Sequence, residues 1–285
     1  MTNLDQILNY PELLLLFLAP IFCLLMVAEY LVGQKRGKLP KNSHYNIAEV
    51  VCNFCLAGMH QLSDLLTGFL VAKLYLWLFD WRLFDIELSV TSLICLLILQ
   101  DFFYYWFHRA SHSIRWMWAA HVTHHSSERM NFSTAFRQSL MYPLAGMWLF
   151  WLPLIVIGFE PQWVIFAVLL NLGLQFFVHT QWIHSLGVFE LIFNTPSHHR
   201  VHHGRNPQYI DKNFAGVLII WDKLFGTFAL EQETVRYGIP KPVNSYNPIT
   251  VTFQEWLIMF KEIRDKNLSF SKRIQVIFGK PDDNK

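Results

Sequence analysis

The stretch from His108 to His125 reads HRASHSIRWMWAAHVTHH, and its reading decides the rest of the chain. Five histidines fall within eighteen residues, directly after a long run of apolar and aromatic side chains. On a helix, His108 and His112 stand four positions apart, and His121, His124 and His125 take offsets of zero, three and four. Both spacings put imidazoles on one helical face. A second cluster, HHRVHHG from His198 to Gly204, repeats the H-x-x-H-H spacing as His199, His202 and His203. Crowding so many titratable rings has little structural use unless a cation sits between them. The clusters therefore predict a metal site.

The chain around them is apolar. Of 285 residues, 53% are hydrophobic, 16% aromatic and only 15% charged, with a mean hydropathy of +0.26. That composition excludes an ordinary soluble domain and suits a bilayer protein with interfacial aromatic belts. A formal net charge of +2 makes no case for a nucleic-acid partner. Cys23, Cys52, Cys55 and Cys95 lie inside apolar runs and give no disulfide framework. Cys52 and Cys55 form a single C-x-x-C, a weak metal or redox signal, and all four read as small buried hydrophobes. The first ten residues carry no Lys or Arg, and the apolar run after them has no small-residue cleavage pattern. That run reads as a first span, not as a removed signal peptide.

Five apolar segments are expected, at about 12–32, 47–77, 88–107, 143–159 and 163–178, against the roughly 20 residues that a helical crossing needs. The last two are short and are split by Glu160-Pro161, so they form either two spans or a re-entrant hairpin. Lys35, Arg36, Lys38 and Lys41 follow the first span, and Arg109 and Arg115 follow the third on the same side. The positive-inside rule makes that side cytoplasmic. The expected fold is all-α: one membrane-embedded helical bundle with a cytoplasmic histidine-rich cap over 108–142 and 179–285. Within the cap, FQEWLIMFKEI and SKRIQVIF read as amphipathic helices, the former able to rest on the membrane surface.

Eleven of thirteen histidines lie between His108 and His203, and the topology returns His179 to the same side as both clusters. Neutral imidazole binds Fe, Zn, Cu and Ni well. A tetrahedral site takes about four ligands, so nine or ten converging rings imply two metals. The H-E-x-x-H of a metalloprotease is absent, and haem ligands would lie deep within spans instead of at their ends. Two histidine-bound irons beside a lipid-accessible core suit O₂ activation and attack on an unactivated C–H bond. The same histidines, with the His60/Asp64 pair inside the second apolar segment as a path, would also suit a membrane metal transporter. A third reading, a non-enzymatic membrane protein, leaves the clustering without a cause.

HRASH, HVTHH and HHRVHH resemble the three histidine boxes of the membrane fatty acid hydroxylase/sterol desaturase superfamily. HHSSERMNFSTAFRQS and NTPSHHRVHHGRNPQYIDKNFAGVLIIWDKLFGTF are similar to its alkylglycerol monooxygenase-like branch. The similarity is dense from about Asp101 to Phe228, with weaker support from YGIPKPVNSYNPI. The resemblance implies a di-iron site with His108 and His112 from the first box, His121, His124 and His125 from the second, and His199, His202 and His203 from the third. His179 matches an additional ligand between the boxes, and His198 is either a tenth ligand or a group supporting one. The implied reaction puts one O atom into a C–H bond of an ether lipid, sterol or fatty acyl chain, or else removes two hydrogens as a desaturase. Electrons come from outside, from tetrahydrobiopterin, cytochrome b5 or ferredoxin, and the sequence does not choose among them.

Asp101, Glu128 and Asp211 lie near the ligand clusters and are candidates to orient imidazoles through the second ring nitrogen. Their alternative is an ordinary solvated or capping carboxylate. Asn131, Arg137 and Asn213 fall in the family-like stretches, with chemistry that spacing does not give. Arg200 and Arg205 flank the third box as headgroup contacts or simple membrane anchors. His44 and His184 are expected to take no part.

Overall fold

A computed structural model describes residues 10–11, 13–36 and 42–281. Every regular element among them is helical, with one isolated bridge between Phe193 and Leu218. The elements are α1 (Leu13–Arg36), α2 (Ile47–Phe79), α3 (Val90–Ser113), α4 (Arg115–His125), α5 (Tyr142–Ala145), α6 (Leu152–Ile157), α7 (Pro161–Gln175), α8 (Pro196–His202), α9 (Ile220–Phe225), α10 (Pro248–Ile263) and α11 (Phe270–Phe278). Four helical stretches, Leu13–Lys35, Ile47–Phe79, Val90–Ser113 and Pro161–Val178, are long and apolar enough to cross a membrane. Glu12, Lys38 and Lys41 lie outside the described residues.

The helix starts follow local chemistry. Asn46 caps α2 by accepting the Glu49 amide, and Ser89 and Ser92 form a reciprocal capping box at α3. Pro161, Pro196 and Pro248 sit in the first turns of α7, α8 and α10, where no helical N–H is lost. The apolar run 143–159 does not make one helix. Pro143, Gly146, Pro153 and Gly158 divide it into α5, a 3₁₀ turn over Met147–Trp151, and α6. Gly158 adopts φ 129°, and a Cβ there would lie 2.0 Å from the Phe84 carbonyl. The loop after α2 can close onto α6 only because that atom is missing.

The third apolar segment ends later than its hydropathy indicates. α3 continues to Ser113, so His108 and His112 ride on the same rigid helix as the span. Ile114 breaks the helix, and α4 folds back against α3 with His121, His124 and His125. The central core holds Tyr104, Phe107, Met117, Tyr142, Trp151 and Trp163, and it meets the histidines where Tyr104 packs 5.5 Å from the ring of His108. Of the four cysteines only Cys52 is buried. Cys23, Cys55 and Cys95 sit on exposed faces, since a span can offer a thiol to lipid at little cost.

Polar side chains tie the spans to one another and to the cap. On α3 and α7, Asn171 donates to Gln100 at 2.9 Å and to Asp101 at 2.8 Å, while Gln175 donates to Asn171 and accepts from Tyr104. Glu29 on α1 accepts from Tyr45, Thr180 and the Phe132 amide, which joins the first span to the residue after His179. Such bonds within membrane bundles average about 0.6 kcal/mol, so their main effect is to fix register.

α10 is not a free surface helix. Val251, Thr252, Glu255, Trp256 and Met259 are buried against the bundle. Arg115, buried at the start of α4, bonds Glu255 at 3.0 Å and pairs with Glu262. Arg115→Met should therefore lower stability by about 3 kcal/mol, because it removes the guanidinium from a buried ion pair with Glu255. A detergent-solubilised thermal melt indistinguishable from the parent would show that the clasp does not hold α10.

Candidate metal centre

Nine histidines converge into two groups. His108, His112, His121, His125 and His202 form one, and His124, His179, His199 and His203 the other. Within each group the potential ligand atoms all lie within 4.8 Å of one another, and all nine residues are buried. α3, α4 and α8 each supply their ligands at helical spacing, with His203 capping α8. His179 arrives from the short 3₁₀ turn that ends the fourth apolar stretch.

The ring nitrogens show why the groups need a cation. His108 Nδ1 donates to the Phe214 carbonyl at 2.7 Å, and His202 Nδ1 to Lys212 O at 3.0 Å. His124 Nδ1 donates to Arg137 O at 3.2 Å, and His179 Nδ1 to Gln175 O at 2.7 Å. A carbonyl can only accept, so each of these rings carries its proton on Nδ1 and a bare lone pair on Nε2. Yet Nε2 of His179 faces Nε2 of His124 at 3.2 Å, lone pair against lone pair. His108 and His121 approach at 2.9 Å, His121 and His125 at 3.0 Å, His125 and His202 at 3.1 Å, His179 and His199 at 2.9 Å, and His199 and His203 at 3.1 Å. His112 Nε2 is buried without a hydrogen-bond partner. Metal–nitrogen bonds of about 2.0–2.1 Å give ligand–ligand edges of about 2.9–3.4 Å, so the residues fit a metal in each group.

Burial and neighbouring rings keep the imidazoles neutral. Burial pushes His121, His124, His125, His199, His202 and His203 well below the usual imidazole range, with the adjacent histidines adding to the effect. Burial also brings His179 down to about 4. Neutral rings are the metal-binding form.

The supporting groups are mostly backbone. The loop 211–217 turns the Lys212 and Phe214 carbonyls toward His202 and His108, with Asp211 and Asn213 alternating in the left-handed region at φ 57° and 55°. Asn and Asp tolerate that region best among residues with a side chain. Asn213 holds the loop by bonding His198 O and both backbone groups of Ala229. Asp222 accepts the Phe214 and Ala215 amides at 2.8 Å each. Asp101 touches no histidine; it accepts Val217 N, Leu218 N and Trp221 Nε1 at 2.8–3.0 Å, anchoring the same loop. Gly216 makes that approach possible, since a Cβ there would meet Asn171 Oδ1 at 2.6 Å and Asp101 Oδ1 at 2.9 Å.

Of the remaining sequence candidates, Asp211 lies 3.6 Å from His112 Nδ1 and 2.9 Å from Lys280. Burial alone would raise its pKa, but these two partners outweigh that and hold it down at about 2. Glu128 is exposed and serves no ligand. His198 belongs to neither group; its ring packs edge-on against Phe228. His184 and His44 are exposed, and His44 accepts from Arg129. Asn131 caps the 3₁₀ turn over Phe132–Phe136. Arg137 is buried among Thr123 O, Ser126 and Asn53 and presents its own carbonyl to His124. Arg200 is an internal strut, bonding Glu231, Thr180 O and Ile183 O, and Arg205 bonds Ile239 O. Spacing missed Tyr142, whose hydroxyl lies 2.7 Å from His121 Nδ1, and Asp222; neither belongs to a histidine-rich stretch. His60 and Asp64 pair at 3.4 Å, and the His60 ring packs 5.7 Å from that of Tyr142.

Two expectations follow. In metal-stripped protein the unfolded chain takes up protons near pH 6.5 that the folded cap refuses until about pH 4, the His179 value. Stability is then fully present above pH 6.5 and falls as pH drops through that window. Melts of chelated protein from pH 7.5 to 4.5 should show the fall; a flat profile would contradict neutral buried rings. Separately, Gly216→Ala should lower metal affinity by about tenfold through the displaced Phe214 carbonyl. Unchanged metal content under competition with a chelator would show that the loop does not set the ligand.

Residues 93–227 match the fatty acid hydroxylase family model, a range that spans every histidine of both groups. The chain is 44% identical to the alkylglycerol monooxygenase of Homo sapiens over 239 residues, covering 82% of this chain and 52% of that protein. It is 37% identical to the alkylglycerol monooxygenase of Danio rerio over 265 residues, 92% of this chain and 58% of the relative. The ornithine lipid hydroxylase OlsE of Rhizobium tropici is 29% identical over 132 residues, 46% of this chain and 40% of that one. The chain thus spans about half the length of the curated relatives it matches. No solved structure matches it. With the family model covering all three histidine boxes and the relatives aligned over most of the chain, this multi-pass membrane protein belongs to the fatty acid hydroxylase/sterol desaturase superfamily, within its alkylglycerol monooxygenase-like branch.

Proposed function

We propose that this protein is a membrane di-iron oxygenase that hydroxylates a C–H bond of a lipid, with an ether lipid as the leading substrate class. The observation that carries this reading is the pair of buried histidine groups, with Nε2 atoms brought within 2.9–3.2 Å of one another and the lone pairs of His124 and His179 opposed. The printed names of the matched relatives, a monooxygenase of alkylglycerols and a lipid hydroxylase, support the lipid substrate. The balanced reaction is R–H + O₂ + 2e⁻ + 2H⁺ → R–OH + H₂O, so an external two-electron donor is required.

His108, His112, His121, His125 and His202 would hold one iron, and His124, His179, His199 and His203 the other. Iron there would supply the activation of O₂. The chain's own part is orientation and exclusion of water. Carbonyls of Phe214, Lys212, Arg137 and Gln175 fix four rings, and the Tyr142 hydroxyl fixes a fifth. Asp211 supports His112 while staying ionised. Lys35 at the end of α1 and Arg109 and Arg115 beside the cap support a cytoplasmic placement by the positive-inside rule.

Electrons are best delivered past Trp118. Its ring lies 5.1 Å from that of His112 and 5.7 Å from that of His125. It also walls a cleft of about 200 Å³ between α4, α10 and the segment Ile239–Val243. A reduced pterin would enter this cleft, whereas a cytochrome b5 or ferredoxin would dock over its mouth.

Purified protein should carry about two irons per chain, as its nine ligands require. His124→Ala and His202→Ala should each lose one iron and abolish O₂-dependent hydroxylation, with membrane insertion intact. Stoichiometric zinc with no O₂ consumption under any reductant, or full activity in either variant, would sink the reading.

A further inference from the structure

An exposed apolar surface outside the four spans and unused by the metal centre lies between His179 and the third histidine cluster. Ile183, Leu186, Val188, Phe189, Leu191, Ile192 and Phe193 are all exposed within eleven residues. Val188 is 76% exposed and Leu191 66%. Beside them, α9 adds Leu224 at 69% and Ile220. The Phe193–Leu218 bridge and two bonds from Lys223 Nζ, to Glu190 O and Leu191 O, join the segments into one surface.

The charges in this region are turned inward or onto backbone. Lys223 caps the 3₁₀ turn over Gly187–Leu191, Glu190 accepts the Leu186 amide at 3.0 Å, and Asp222 is buried against the Phe214 and Ala215 amides. What remains outward over residues 186–193 and on α9 is mainly apolar, with the polar His184 and Ser185 at the edge of the patch. A contiguous apolar surface with its charges withdrawn marks an interface.

Its position identifies the partner. On α3 the exposed residues Val90, Ile94 and Ile98 recur every four positions, a stripe that faces lipid. The same stripe continues to Phe102 and Trp106, and there α9 covers it. Trp221 packs 5.2 Å from Phe102, and Phe225 packs 5.0 Å from Trp106. The lipid-facing stripe of a span therefore runs without a break onto α9 and the adjoining 3₁₀ turn. Counting from Val90 at 1.5 Å per residue, Phe102 and Trp106 stand about 18 and 24 Å along a hydrocarbon core of about 30 Å. α9 is then about 6–12 Å below the near boundary, the depth at which interfacial elements rest.

We propose that residues 183–193 and α9 form a wedge embedded in the acyl region of the bilayer leaflet nearest the histidine cap. The occupant of this apolar face is lipid, and the wedge sets the depth of α8, which begins three residues after Phe193. The third histidine cluster thereby gains a membrane contact in addition to the four apolar spans, one of which α9 packs against.

The test uses full-length protein in lipid nanodiscs, with its four cysteines replaced by alanine and single cysteines introduced as Val188→Cys, Leu224→Cys and Glu233→Cys. Each carries a nitroxide label, and collision with O₂ is compared with collision with a water-soluble nickel chelate. The wedge predicts an O₂-to-nickel ratio several-fold higher at 188 and 224 than at 233, a site on the exposed cap surface. Ratios at 188 and 224 equal to that at 233 would overturn it and place the patch in water. Protection from both reagents would overturn it as well, by showing the patch covered by protein such as a second copy. Mobile spectra and unchanged circular dichroism at these exposed positions would verify that the variants are folded.

Discussion

Opposed Nε2 lone pairs are the constraint on which the rest of the structure depends. A buried imidazole whose Nδ1–H is already committed to a carbonyl has only an acceptor left to offer. Setting two such acceptors 3.2 Å apart, as in His124 and His179, leaves both without the hydrogen bond that burial demands. Each buried unmet polar group costs about 1–3 kcal/mol. Protonating one ring would relieve the clash in water, but burial depresses that protonation for His124, His179 and His199. A cation between such rings would satisfy both lone pairs, so a metal and the folded cap would stabilise each other.

The spans serve this constraint by fixing where the carbonyls are. His179 receives its orienting bond from Gln175, one turn earlier on α7, and Gln175 is locked through Asn171 to Gln100 and Asp101 on α3. The same Asp101 carboxylate fastens the 217–218 backbone, and from there the loop leads to the Phe214 carbonyl and His108. One buried polar network thus reaches a ligand in each group. Its location between helices that face lipid explains its composition: amides and a single carboxylate with four donors, bonded to one another where water is scarce.

The convergence of the nine histidines was legible in the sequence because helical spacing converts directly into a shared face. His108/His112, His121/His124/His125 and His199/His202/His203 each lie on one helix or its cap, and nothing beyond the 3.6-residue repeat is needed to see it. His179 was legible only through topology and resemblance, as a single residue at the end of an apolar run. His198 matched the pattern by adjacency, yet a neighbour on a helix points about 100° away, and its ring meets Phe228 instead. Asp101 was singled out for the right place but with a different action, through three backbone and indole donors and not through an imidazole. Lys212 and Phe214 could not be singled out at all, because any residue has a carbonyl. What sequence did hold was Asp211 and Asn213, two residues tolerant of positive φ placed alternately in a loop of the third box. The apolar run 143–159 shows the opposite limit: hydropathy sees its length, while two prolines and two glycines decide that it breaks.

The length of α3 then explains why the chemistry sits at the membrane boundary. The helix has 24 residues from Val90 to Ser113, a rise of about 36 Å against a hydrocarbon core of about 30 Å. His108 and His112 therefore emerge in its last two turns, at the level where acyl chains give way to headgroups. A shorter helix would bury their rings among lipid, where opposed lone pairs have no water to fall back on during assembly. A longer one would lift the pair away from the acyl region of the bilayer. Continuing as one rigid helix past the apolar boundary, with Ile114 as the break and α4 folded back, fixes that height with no flexible joint between span and ligand. The position of the metal relative to the bilayer is in this sense a property of one helix, and the rest of the cap is assembled onto it.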